Sequence, residues 1–239
     1  MLEQKNQQME DQPPKSKGIK LPVRWMVAVA ALAVIVPWLM YTPAGLMGKA
    51  DAVGYAICHQ IPARSFQING QPISLCARCT GMYVGAFVGI IYQLFIGRRR
   101  AEWPARWMLI VFGVLFLAFA VDGSNSAAKL FLGSGPLYEP TNTSRLITGT
   151  GMGLVMAGMV LPTWHQTLWK DYDPRPYFLN WQQFAGYLLA GAVSVALILT
   201  EEPFILRVFS YLGVIGVVGI LTMLYTMIVV SIFARENAF

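Results

Sequence analysis

The sequence is short of charge, of histidine and of cysteine. Charged residues make up 13% of its 239 positions while apolar ones make up 56%, and an ordinary soluble domain carries roughly 25% charge. That deficit excludes a conventional water-solvated globule and points to lipid. Two histidines and three cysteines confine any soft-metal or thiol chemistry to five side chains. The apolar stretches also lack the acidic residues and interrupted helices that usually mark a transport path, which argues against a solute transporter.

What is present is a set of apolar runs, several of which reach the roughly 17 to 25 residues that cross a hydrocarbon core. Backbone groups in lipid must be satisfied within the segment, so the runs read as helices. Six are expected, over 23–41, 79–96, 107–121, 146–161, 184–200 and 205–233. The fold class is therefore all-α, a polytopic membrane helix bundle. Residues 1–22, "MLEQKNQQMEDQPPKSKGIKLP", are polar and Gln-rich and read as a disordered tail. A cleaved signal peptide within 1–44 fits less well, because the polar lead is long and the apolar stretch exceeds an h-region. A retained anchor is expected, with residues 23–239 forming one transmembrane domain.

Orientation follows the bias of Lys and Arg toward short cytoplasmic loops. With the N-terminus inside, six of the 18 basic residues fall outside, namely Lys49, Arg64, Arg78, Lys129, Arg145 and Arg207. The other twelve fall inside, with the densest group in "GRRRAEWPAR". Both termini are thus expected in the cytoplasm of a prokaryote, the chain as a multi-pass protein of its cytoplasmic membrane, and residues 42–79 as an extracytoplasmic Cys/His loop. The net charge of +6 is read as this topology signal plus attraction to anionic headgroups, and nucleic acid is not an expected partner. The seven tryptophans fall near span ends, as interfacial rings do. His165, on the inner side, is expected to be exposed or interfacial.

All three cysteines lie in "CHQIPARSFQINGQPISLCARCTG", residues 58–81. Cys76 and Cys79 form C-x-x-C where a span begins. A helix starting near residue 75 places both thiols on one side of its first turn, where unpaired N–H groups, the helix dipole and Arg78 favour thiolate. Asn69-Gly70 is a turn signal that folds the intervening loop back as a hairpin and returns Cys58 and His59 toward the pair. Cys58, His59, Cys76 and Cys79 then form a candidate tetrahedral ligand set. Neighbouring side chains on extended backbone diverge, so one of Cys58 and His59 is a candidate for an outer role, which leaves three ligands and an open position. A structural disulfide with one free thiol, and a redox-active Cys76/Cys79 pair, stand as alternatives.

Glycines recur at 81, 85 and 89, and small residues at 149, 153 and 157, so the second and fourth spans are expected to touch. Contact brings Arg145 near the thiols. Asp122 closes the third span on the same side and is a candidate partner for Arg145. Arg64, Arg78, Asp122 and Arg145 are the candidate residues for holding a cofactor, as a clamp on an anion or a quinone carbonyl.

"CHQIPARSF", "CARCTG", the "DG" at 122–123 and "RLITGTGMG" at 145–153 resemble an uncharacterised family of bacterial and archaeal integral-membrane proteins marked by C-H-Q and C-x-R-C-x-G. The resemblance covers about residues 50–160. It implies that Cys58, His59, Gln60, Pro62, Arg64, Ser65, Phe66, Cys76, Arg78, Cys79, Gly81, Asp122, Gly123, Arg145, Thr148 and Gly149 are motif positions. The family's usual glutamine three residues after the D-G pair is Ser126 here. The resemblance supports the choice of site and implies no activity.

Three functional readings follow. The first is a membrane protein with an extracytoplasmic zinc site, with iron or an iron–sulfur centre as second candidate. The second is a thiol–disulfide oxidoreductase that passes electrons to a quinone and serves an extracytoplasmic redox partner, with Cys58 as resolving thiol and His59 tuning the thiolates. The third is an accessory subunit beside another membrane protein.

Overall fold

The computed structural model describes residues 21–133, 135, 137–233 and 236. The expected tail lies outside the described residues except for 21 and 22, which already belong to a helix. The described helices are α1 (Leu21–Tyr41), α2 (Gly45–Ile57), α3 (Ala77–Ile96), α4 (Arg106–Leu132), α5 (Asn142–Leu168), α6 (Trp181–Ile198) and α7 (Pro203–Ile232). A 3-10 turn (Pro62–Arg64) and a hairpin of β1 (Gln67–Ile68) and β2 (Gln71–Pro72) join α2 to α3, while β3 (Arg100–Glu102) and β4 (Asp173–Pro176) pair in parallel. The fold is an all-α membrane bundle. Five described helices are long and apolar enough to span a bilayer, or six if Trp25–Tyr41 and Gly45–Ile57 count as one.

The chain divides into two units, one ending at Thr42 and one running Pro43–Asn237. The first contains α1, an apolar helix with Pro37 inside it. Its terminal carbonyl at Trp38 is taken by the Thr42 amide at 3.1 Å and hydroxyl at 2.6 Å, which satisfies an acceptor the end of a helix would otherwise leave open.

In the second unit α3 and α5 run side by side along the expected small-residue faces. A Cβ placed on Gly153 would lie 2.0 Å from the Met82 carbonyl oxygen, and one on Gly149 2.3 Å from that of Arg78. One on Gly81 would lie 2.4 Å from the carbonyl oxygen of Leu146. Only glycine admits this approach, and it is the close backbone contact through which helices associate in lipid. Around the pair, Phe112 of α4, Phe184 and Tyr187 of α6 and Ile220 of α7 close a buried core with Leu154 and Phe178. The outward faces stay apolar: Ile110, Phe116, Leu117, Leu189, Ile215 and Ile228 are all exposed. That is far more uncovered apolar surface than a water-facing monomer tolerates, and it is the surface lipid covers.

Three expectations are corrected. Residues 45–57, expected as loop, form α2. The third span does not stop at residue 121 but continues as helix to Leu132, because Asp122, Asn125 and Ser126 turn inward and find partners. The fourth continues through Pro162 to Leu168 and buries His165, which is 3% exposed rather than interfacial. Its Nδ1 lies 3.0 Å from the Tyr177 hydroxyl and 3.3 Å from the Arg100 carbonyl oxygen. The parallel β3–β4 pair delivers both partners.

Candidate metal centre

The loop from Cys58 to Cys76 doubles back as its sequence implies. Asn69 and Gly70 both hold positive φ, 51° and 79°, which suits the two central residues of a tight hairpin turn. The hairpin is anchored by apolar burial: Phe66, Ile68 and Ile73 join Val84, Leu146 and Leu206 in one core cluster. Polar stitches fix its position against α2. Gln60 donates through Nε2 to the carbonyl oxygens of Ser74 (2.8 Å) and Asp51 (3.2 Å), and the Ser74 hydroxyl donates to Asp51 Oδ1 at 2.6 Å.

These constraints bring Cys58 onto the start of α3. Cys76 is its N-cap and Cys79 sits in its first turn, so the two share a side of the helix. The three sulfurs lie within 4.8 Å of one another and together can hold a metal ion. All three are free thiols, with Cys58 buried and the others half-buried. Their floor is apolar, built from Leu75, Val217, Ile57 and Tyr83. The Cys76 amide donates to Cys58 Sγ at 3.3 Å. Hydrogen bonds from the Cys76 thiol, then the Cys79 thiol, hold the Cys58 thiol far below its ordinary range. The Cys76 thiol is pushed up, chiefly by that same bond to Cys58.

The donor set fits a thiophilic metal. Three sulfurs at Zn–S bonds of about 2.3 Å in a tetrahedral arrangement stand about 3.8 Å apart, within the observed spread. His59, the expected fourth ligand, is not among the gathered donors. It is exposed, and Cys58 has extended backbone (φ −136°, ψ 139°), so adjacent side chains point apart. His59 stands instead on the rim of a cleft of about 260 Å³ that opens in front of the thiols.

Arg64, Arg78 and Arg145 line this cleft beside Cys58, Cys76 and Cys79. Asp122 does not reach it. It lies behind Arg78, 1% exposed, and forms an ion pair with Arg78 Nη2 rather than the expected pair with Arg145. Arg78 Nη2 also reaches the Asp122 carbonyl oxygen at 3.0 Å, and the hydroxyls of Tyr138, Ser144 (3.1 Å) and Thr148 (3.3 Å) donate to the carboxylate. Arg145 is itself buried and donates to neutral groups, Ser126 Oγ at 3.3 Å and Asn142 Oδ1 at 3.0 Å. Ser126 thus helps to hold Arg145. Asn125, just beyond Asp122 in the sequence and given no role there, fixes the α4–α5 connection by donating to the Tyr138 carbonyl at 2.8 Å and accepting from the Leu137 amide at 3.0 Å. Its signal was its place beside Asp122 in a stretch too polar for a lipid face.

A family model described as predicted membrane protein (DUF2085) matches residues 58–159. An uncharacterised protein of Methanocaldococcus jannaschii is 36% identical over 122 residues, 51% of this chain and 72% of that protein. An uncharacterised protein of Methanothermobacter thermautotrophicus is 32% identical over 107 residues, 44% of this chain and 86% of that protein. No solved structure matches. The chain belongs to the DUF2085 family of predicted membrane proteins, and the matched segment begins on Cys58 and contains every residue of the cleft named above except Ile57.

Proposed function

We propose that this member of the family is a membrane metal-binding protein whose centre is Cys58, Cys76 and Cys79, with zinc as the resident ion and iron as the second candidate. The observation that carries the reading is the gathering of three sulfurs within 4.8 Å from two places in the sequence, Cys58 and the C-x-x-C pair. Thiolates select soft and borderline metals, and three protein ligands leave a fourth position for water or a substrate. When bound, the ion supplies Lewis acidity at that position. The chain's own contribution is to hold the sulfurs at a helix start, keep their floor dry, and line the open side with guanidinium groups. The bias of basic residues supports an orientation with this end of the bundle on the extracytoplasmic face of a prokaryotic cytoplasmic membrane.

The experiment is purification in detergent, with metal measured per chain and reactive thiols counted before and after chelation. About one metal per chain is expected, falling to near zero in the variant carrying Cys76→Ser and Cys79→Ser. A wild-type protein that arrives metal-free, with all its thiols reactive, would overturn the reading.

The three free thiols, with sulfurs within 4.8 Å of one another, also support a second reading, as a thiol–disulfide oxidoreductase. Two thiols of the cluster lose two electrons and two protons to become a disulfide, and a quinone takes up both pairs to become a quinol. The same preparation distinguishes the two, since this reading requires metal-free protein whose thiol count falls by two on oxidation and recovers on mild reduction.

A further inference from the structure

We infer that the cleft in front of the thiols binds a phosphoryl oxyanion, held by Arg64, Arg78 and Arg145. The inference rests on reading this cleft as a ligand site, though not on which metal fills the sulfurs.

The argument begins with charge. Three guanidinium groups from three separate elements, the 3-10 turn, α3 and α5, line one cleft. Its 260 Å³ holds about nine waters at the share each occupies in the liquid. Among the described residues only Arg78 of the three has a carboxylate partner, Asp122. Arg145 is 6% exposed, and the hydrogen bonds it makes go to neutral oxygens. A buried cation without a counter-charge is costly. Arg78 Nε is buried with no hydrogen-bond partner, which leaves an unused donor on a residue of the cleft wall.

The chemistry of the donors selects the anion. Guanidinium groups bind carboxylate and phosphoryl oxygens in paired hydrogen bonds. A carboxylate presents two oxygens in one plane, whereas donors arriving from three elements suit the three oxygens of a phosphoryl group. Two sources supply such a group. One is inorganic phosphate or a small phosphate ester from solution. The other is the headgroup of an anionic lipid entering past Leu130, which is 63% exposed on the cleft wall.

The test is calorimetric titration of the full chain in detergent, at constant ionic strength, with inorganic phosphate in one arm and dihexanoyl phosphatidic acid in the other. Saturable binding at one site per chain is expected in at least one arm, and the tighter arm names the source. Arg64→Gln should weaken it about tenfold or more, Arg64→Lys less, with metal per chain unchanged in both. Arg145→Gln should weaken it further. If that variant does not fold, Arg64→Gln decides. Binding that survives removal of the metal by chelator keeps this inference separate from the metal reading. Heats no larger than those of chloride in both arms, or equal affinity in the Arg64→Gln protein, would overturn it.

Discussion

The two ends of the α3–α5 pair each gather one histidine, several arginines and a short strand pair, and treat them in opposite ways. At the end where both helices stop, His165 is buried against Tyr177 and the main chain of Arg100, and burial pushes the Tyr177 hydroxyl above its ordinary range. The charges there lie outside: Arg98 and Arg99 are exposed, and Arg175 pairs with Asp173 at the surface. At the end where both helices begin the histidine is exposed, while Asp122, Arg145 and Cys58 are buried. One end uses polarity to tie a connection down. The other buries more cation than Asp122, its one buried carboxylate among the described residues, answers, which is the mark of a site that meets something else.

The largest effect separating the ends is expected from their ion pairs. Asp122→Asn keeps the shape of the side chain but leaves Arg78 facing a neutral group. Removing one partner of a buried pair costs about 3 kcal/mol, so the unfolding midpoint in detergent should drop sharply. Asp173→Asn removes the carboxylate from an exposed pair and should leave the midpoint where it was, since such pairs contribute little. Equal damage from both substitutions would erase the contrast.

A smaller effect is expected from Tyr177→Phe. It removes one hydroxyl between His165 and the β3–β4 pair, and a neutral buried hydrogen bond contributes about 1 kcal/mol. The loss should appear in thermal unfolding with metal per chain unchanged, because nothing links this tie to the thiols. Loss of metal in this variant would mean that the two ends are coupled through α3 and α5.

How much of this was legible in sequence depends on the range of the interaction. C-x-x-C at a helix start, Asn69-Gly70 as a turn and the glycine spacing in α3 and α5 are local patterns with one physical reading each, and the structure follows them. The spans at 107–121 and 146–161 were read too short because hydropathy falls at Asp122 and Pro162. The helix continues where Asp122 meets Arg78, a partner 44 positions away that no periodicity reveals. The burial of His165 escaped notice for the same reason: Arg100 lies 65 residues before it and only the β3–β4 pairing brings them together. Helix α2 is not legible as a helix because Lys49 and Asp51 interrupt its apolar residues, and its close approach, Gly54 on the Ser74 carbonyl, comes from 20 positions along the chain.

The smallest effect tests the remaining ambiguity of the site. His59 adjoins a gathered thiol and stands at the rim of the same cleft, yet the extended backbone at Cys58 turns its ring away from the sulfurs. His59→Ala should therefore leave metal content at its wild-type value and change stability by no more than about 0.5 kcal/mol, as for an ordinary surface substitution. Metal analysis of the purified variant, beside its unfolding curve, reads both. If the metal were lost with the imidazole, the ring would be the fourth ligand and the set would be closed, as structural zinc sites are. The outer histidine would then be a fixed tie like His165, and the open position in front of the arginines would not exist.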